Sequence, residues 1–512
     1  MSDSWVRSQT KTTSHRDEVL ISRQSHPTAP LTDPNRLFVA YCQSNTMHVL
    51  LYVVDSLRAD HLSTYGYSRE TTPVVDSIGA DGIVFERCYT PATWTRSVAS
   101  SIVTGRFPPT HQVELRDDTL PADLPTLAER FSAAGFDTAC VTGMGNVSSS
   151  TGFGRGFDDM IEVYKKPEVL DKRELSSTEE EALHHESNDV VAYPRAEDLH
   201  HYLLEWLRDR REKDTFSLVW GIDPHDPYDP PKGADWFLEA PHDGWGRTRE
   251  HLLEASTEAE FSRLRDLYDC CIRYWDREMG RLIDQFEEEG LYNDLVMAVV
   301  GDHGESFGER TNYGKPSFGH GNPPYEEQMR VPFILRTPER VSPDTDSESG
   351  QRRTQLVSLV DVGATLLDVA VCEFPDLDPV VGGVSQRPQT AGRDAVFART
   401  RIESSRAMSA GVRTVDEKYI RITPPPVSVA SLREHPLHFF RSRLQTDREQ
   451  LYDLTSDPDE TKNVAESATD ERKRHRKQLE KWEKRCESIE TDRPGRLNDE
   501  QTERQLEALG YR

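Results

Sequence analysis

MHVLLYVVDS, residues 47–56, is an apolar run rich in Val and Leu that stops on Asp55. A strand with one wet face would alternate apolar and polar residues, whereas an unbroken run from Met47 to Val54 suits a strand buried on both faces of a parallel sheet. The design returns in DTACVTG (137–143), FSLVWGIDPH (216–225) and DLVMAVVGDHG (294–304), each a short apolar run with polar residues at its C-terminal end. Between them lie the helical patterns LPTLAERFSAAG (124–135) and RLRDLYDCCIRYWDREMGRLIDQFEEEG (263–290). Strands alternating with helices predict an α/β fold, a central mostly parallel sheet flanked by helices. Ligands of such sheets sit beyond the carboxyl ends of the strands, and Asp55, His225, Asp302 and His303 all fall there.

The whole chain of 512 residues allows one large domain and a smaller one, or two to three of ordinary size. Its 89 acidic against 62 basic residues leave a formal charge of −27, which argues against a nucleic-acid partner. Of those 62 bases only 13 are Lys and 49 are Arg. Dense carboxylates with few lysines fit adaptation to high salt, and fit an ordinary acidic cytosolic protein equally well. Seven cysteines, an odd number without metal-type spacing, point to a reducing compartment. No signal-peptide core and no stretch approaching 18 apolar residues is present, so a cytoplasmic protein without an integral membrane segment is expected.

Residues 1–45 are polar and aperiodic and read as a mobile leader before a catalytic α/β domain over 46–337. Within that domain, 160–198 is charged and weakly periodic, the texture of an acidic surface insertion; its His184–His185 pair tempts a metal reading that a solvated loop does not support. From about residue 338 the chain turns to short β-like runs such as AVFART and KYIRIT, then to the charged helix DERKRHRKQLEKWEKRCESIE. A C-terminal α+β part, 338–487, is expected to complete the fold with a small sheet and helix, leaving 488–512 as a loose tail.

A hard divalent cation that activates a nucleophile needs oxygen and imidazole ligands, which sequence-distant strand ends can supply. Asp55, Asp302 and His303 meet that need, and DPHDPY adds a third polar strand end. Each motif alone is modest, since an Asp-His pair after a strand is also an ordinary helix cap. In ATWTRSVASSIVTGR (92–106), Thr95 precedes a helix expected over 97–104. It reads either as a cap or as a hydroxyl set where backbone N–H groups favour an anion. The nucleophile reading depends on a nearby metal to lower the hydroxyl's pKa.

Taken together the chain resembles the sulfatase-like branch of the alkaline phosphatase superfamily. The resemblance runs in order through MHVLLYVVDSLRADHLSTYGY, TTPVVDSIGADGIVFERCYTPATWTRSVASSIVTGR, LPTLAERFSAAGFDTACVTG, GFGRGFDD, IDPHDPYDPP, VVGDHGESFGE, FGHGNPPYEEQMRVPFIL, VSLVDVGATLLDVA and EQLYDLTSDPDETKNVAE, from residue 47 to about 466. Collinearity over that length is more specific than any one motif. It implies an alkaline-phosphatase-like fold, metal ligands at Asp55, Asp302 and His303, and a nucleophile at Thr95, counted back from TGR. His225 and His320 would meet the substrate anion or leaving oxygen, or a second metal in relatives that have one, with Asp223 as its candidate carboxylate. Arg58, Arg96 and Lys315 are weaker candidates for anion contacts.

Two departures bear on the chemistry that the resemblance implies. Sulfatases of this type carry C/S-x-P-x-R, whose Cys or Ser becomes formylglycine; here the five positions read TRSVA, with Thr95 first, Ser97 for Pro and Ala99 for Arg. Threonine cannot yield that aldehyde, and Cys88 lies seven residues too early. Ser56 stands where many sulfatases have a second consecutive Asp. Both changes lead toward Thr-dependent phosphoryl transfer on a phosphodiester or other phosphoester, with Mn, Mg, Ca or Zn as the divalent metal and a small-molecule, glycan or lipid-headgroup ester as substrate. A sulfuric ester hydrolase acting on a sulfated sugar, and a non-catalytic anion-binding protein, are the competing readings.

Overall fold

Strand β1 (His48–Val54) is buried along its whole length and lies between two parallel neighbours, β5 (Thr215–Gly221) and β6 (Leu295–Gly301). The computed structural model describes residues 46–166, 169, 194–241, 255, 257–312, 315–338, 341, 350–370, 372, 378–386, 392–402, 407–424 and 448–508. The central sheet takes in β2 (Ile83–Tyr89), β3 (Asp137–Thr142), β4 (Asp159–Glu162), β9 (Arg330–Val331), β10 (Phe333–Arg336) and β11 (Gln351–Ser358). Its order is β11-β2-β10-β6-β1-β5-β3-β4, with β9 on β2. The short β10 runs antiparallel to β2 and β6, while the pairs made by β1, β3, β5 and β6 among themselves are parallel.

The unbroken apolar character of β1 follows from its two dry faces. Val49, Leu51 and Val53 join the core under α2 (Thr95–Thr104), α3 (Leu127–Ala133) and α6 (Asp361–Val369). Leu50, Tyr52 and Val54 join the opposite core, under α1 (Pro73–Ala80), α4 (Ala196–Arg208) and α5 (Glu258–Glu288). Each such fully buried apolar side chain stabilises the fold by about 1.5–3 kcal/mol relative to exposure. Helix α5 begins at Glu258, ahead of the expected residue 263, because Thr257 and Glu260 form a reciprocal capping box that satisfies two otherwise orphaned N–H groups.

The C-terminal part is a four-stranded antiparallel sheet, β12 (Val396–Arg401), β13 (Met408–Arg413), β14 (Glu417–Thr423) and β15 (Glu449–Asp453), covered by α7 (Thr469–Glu487). Trp482 of α7 stacks on Phe397 and meets Phe107 edge-on. The central sheet extends past residue 337, since β11 pairs with β2. The segment after 487 is not a loose tail in its described part. Helix α8 (Glu500–Ala508) docks through the buried Gln505, which accepts from Gly145 N at 2.5 Å and donates to Gly143 O at 3.1 Å. The expected acidic insertion lies mostly outside the described residues, His184 and His185 included; residues 160–162 belong to β4, and α4 starts at Ala196. Among the described residues no helix is long and apolar enough to cross a membrane.

Candidate active site

Parallel pairing sets Val54 of β1 opposite Gly301 of β6, so the residues that follow, Asp55 and Asp302, emerge side by side at the carboxyl edge. Both are fully buried, as is His303. One side-chain donor atom from each of the three lies within 4.8 Å of the others. Asp302 Oδ1 accepts from the backbone N–H groups of Ser56 at 2.9 Å and His303 at 2.6 Å, whereas among the described residues Oδ2 has no hydrogen-bond partner. Asp55 accepts from Ser56 Oγ at 3.1 Å and from Trp220 Nε1 at 3.2 Å. Ser56 holds this corner in the left-handed region, φ 58°.

His303 Nδ1 sits 2.9 Å from the carbonyl of Gly304, an acceptor only, so Nδ1 carries the proton and Nε2 presents its lone pair to the two carboxylates. Burial holds the imidazole neutral, with a pKa lowered to about 4. Burial, and then Asp55, push the Asp302 carboxyl well above its usual range. Two buried carboxylates beside a neutral imidazole of fixed tautomer repel one another until a cation neutralises them, and oxygen with one nitrogen is the donor set of a hard or borderline divalent ion. The residues present therefore fit a divalent metal.

Thr95 is the first residue of α2, and Trp94, extended at φ −152° and ψ 148°, takes the cap position. Its side chain is fully buried, and Oγ1 lies 3.2 Å from His303 Nε2. The hydroxyl is thus directed at the strand-end cluster rather than spent on the cap, and it sits at the positive end of the helix dipole. Gly304 permits this arrangement: a Cβ there would lie 1.9 Å from the carbonyl oxygen of Glu327.

His225 and His320 join the cluster. Their ring centroids are 5.1 Å apart, and that of His320 is 4.5 Å from that of His303. His225 Nδ1 donates to the Asp226 carbonyl at 2.6 Å. Burial opposes charge on His225, but Asp226, backed by Asp55 and Glu305, outweighs it and raises the pKa to about 10.

The other candidates whose side chains are described are engaged elsewhere. The Arg58 guanidinium spends its donors on Asp60, Glu309 and the Glu305 carbonyl. Arg96 is fully buried and donates to the carbonyls of Arg116 and Asp118 and to Asn146 Oδ1, bracing loops beside α2. Asp223 interacts with Arg195 and with Tyr52 and Tyr274. The carboxylate beside His320 is instead Glu305, and the one beside His225 is Asp226, whose Oδ1 lies 3.0 Å from Nδ1. Lys315 opens β8 (Lys315–Gly319), which pairs with β7 (Ser306–Asn312), and its side chain lies outside the described residues. Glu305 and Trp220 are site residues that the sequence reading passed over, although Glu305 stands inside the quoted VVGDHGESFGE and Trp220 inside FSLVWGIDPH.

A mostly parallel sheet with helices on both faces and a strand-end cluster of two carboxylates and a histidine is an α/β fold of the alkaline-phosphatase-like class. The Sulfatase family model matches residues 47–371, and the chain belongs to that family. It is 24% identical over 472 residues to an arylsulfatase of Clostridium perfringens, an alignment covering 82% of this chain and 90% of the relative. Among solved structures it is similar to a phosphonate monoester hydrolase of Silicibacter pomeroyi, with TM-score 0.64, 19% identity and coverage of 89% of this chain and 100% of the other. The phosphonate monoester hydrolase of Agrobacterium radiobacter superposes with TM-score 0.62 and 19% identity, covering 86% and 96%.

Proposed function

We propose that this sulfatase-family hydrolase cleaves a phosphoester, with a phosphodiester as the preferred class, by using Thr95 as its nucleophile. The observation that carries the reading is the buried Thr95 hydroxyl, 3.2 Å from His303 Nε2 at the start of α2. A divalent cation held by Asp55, Asp302 and His303 would lower the hydroxyl's pKa and offset negative charge on the substrate. Thr95 Oγ1 loses its proton to solvent and attacks phosphorus in line, forming a phosphothreonine as the ester P–O bond breaks. The departing oxygen takes a proton from His225 or His320, and the N-terminal amides of α2 stabilise the equatorial oxygens. Water, or an acceptor alcohol, then releases the phosphoryl group. A phosphonate monoester, like a phosphodiester, offers a singly charged phosphorus centre with one alkoxide or aryloxide to expel, so the phosphonate monoester hydrolases among the structural neighbours support the same chemistry.

The test is hydrolysis of paired aryl phosphodiester, phosphomonoester and sulfate substrates across a series of divalent metals, in dilute and in concentrated potassium chloride because of the −27 charge. Metal-dependent cleavage of the diester is expected to fall by at least about 10³-fold in Thr95→Ala. Full activity in that variant would remove Thr95 from the mechanism. Preferential sulfate cleavage would favour the second reading, a sulfuric ester hydrolase, which the similarity to an arylsulfatase supports.

A further inference from the structure

Glu305 is a fully buried carboxylate of the catalytic cluster that the mechanism above does not use. It stands two residues beyond His303. Its oxygens lie 3.3 and 3.4 Å from Nδ1 of His320. We propose that Glu305 is the positioning residue of His320, fixing Nδ1 as the protonated nitrogen and so orienting the ring that gives the leaving oxygen its proton. This deepens the phosphoryl-transfer reading and rests on it.

The main chain of Glu305 is pinned at both ends. Its N–H donates to Glu327 O at 3.1 Å, and its carbonyl accepts from Arg58 Nη1 at 2.9 Å. That second bond gives Arg58 an occupation unrelated to substrate. The loop carrying His320 is tied as firmly: Gly319 O accepts from Gln328 Nε2 at 2.8 Å, and Gly321 N donates to Thr93 O at 2.6 Å. Thr93 is two residues from Thr95, so these bonds fix His320 relative to both the nucleophile and Glu305. A carboxylate behind a histidine sets its tautomer and stabilises its charged form without itself gaining the proton. In the step, the electron pair of the breaking P–O bond stays on oxygen, which takes the Nε2 proton. His320 becomes neutral with Nδ1–H still held by the Glu305 oxygens. The alternative donor, His225, is committed at Nδ1 to the Asp226 carbonyl, so the two histidines are held by separate acceptors.

The experiment combines nitrogen-15 histidine spectroscopy with leaving-group kinetics on the full chain. In the wild type, His320 is expected to show protonated Nδ1, with its signal assigned through His320→Gln. Glu305→Ala should release that proton to a mixture of tautomers, and Glu305→Gln, which keeps an acceptor but no charge, should retain part of the preference. Kinetically, Glu305→Ala should slow a diester with an alkyl leaving group about 100-fold and a 4-nitrophenyl ester less than about threefold, since only the poor leaving group needs the proton. In a His320→Gln background the same change should cost nothing further. An unchanged His320 spectrum, equal losses on both esters, additive losses, or a drop in metal stoichiometry in Glu305→Gln would each overturn the proposal. Failure of the parent reading has a different signature: Thr95→Ala would stay active, while the spectrum would still report whether Glu305 holds His320.

Discussion

Trp220 Nε1 donates to Asp55 Oδ2 at 3.2 Å, and Ser56 Oγ to Oδ1 at 3.1 Å, so both oxygens of this carboxylate are aimed by neighbours before any cation arrives. Partners of this kind typically contribute 10–100-fold to metal affinity. Trp220→Phe keeps an aromatic ring in the fully buried site but removes the donor. Metal affinity, read by competition with a chelating dye, is expected to fall by about tenfold while the fold survives. Unchanged affinity would mean that the indole N–H does not orient Asp55. The residue scale also shows where a sequence reading stops. Asp55, Asp302, His303 and Thr95 were legible because each stands at the end of a strong pattern, three at strand ends and one at a helix start. Arg58 and Arg96 stand in the same motifs, yet their guanidinium groups answer to Glu309 and to the carbonyls of Arg116 and Asp118. Nothing in local composition announces those partners.

At the scale of elements, the runs at 137–143, 216–225 and 294–304 correspond to β3, β5 and β6 because strands with two dry faces leave a continuous apolar signature. Edge strands leave a weaker one: β11, QRRTQLVS, is polar and mostly wet up to Gln355 before Leu356–Ser358 are buried, and reads as turn-rich chain although it extends the central sheet. The packing of α8 was equally hidden, since two of its buried anchors, Thr502 and Gln505, are polar and only Leu506 reaches the core. Thr502 Oγ1 meets Ser150 Oγ at 2.9 Å, and Gln505 clamps Gly143 and Gly145. The clamped loop carries Asn146, whose Oδ1 accepts from Arg96 one residue beyond Thr95. Gln505→Ala leaves a buried N–H and a buried carbonyl without partners, at about 1–3 kcal/mol each. Faster amide exchange is expected across 143–150 and 499–508, with turnover reduced several-fold through the Asn146–Arg96 contact. Faster exchange with undiminished turnover would show α8 to be a brace without influence on the nucleophile.

At the scale of the whole molecule, histidines that fold neutral weaken stability toward acid. His111 Nδ1 accepts from the Val113 N–H at 3.1 Å, which leaves Nε2–H to donate to Ser101 Oγ of α2 at 2.9 Å, and burial lowers its pKa to about 3. His200, packed against Tyr52 of β1, is likewise lowered by burial to about 3. Between the unfolded value near 6.5 and about 3 the unfolded chain binds these protons and the native protein does not, so stability falls as pH falls. Each site contributes a slope of up to about 1.4 kcal/mol per pH unit in that window. Asp276 acts with the opposite sign. Burial raises its carboxyl to about 7, so between the usual carboxylate value and 7 the native protein holds a proton that the unfolded chain has lost. The net acid profile therefore mixes signs, and the informative quantity is a difference between variants. His111→Asn keeps an acceptor for the Val113 N–H but cannot titrate. It is expected to be less stable than the wild type at pH 8, because a packed ring is lost, and to close that gap by about 1.4 kcal/mol per unit as pH falls from 6 to 4 in urea titrations. A gap that stays constant with pH would show that His111 is protonated in the native state, which would require Val113 to give up its hydrogen bond.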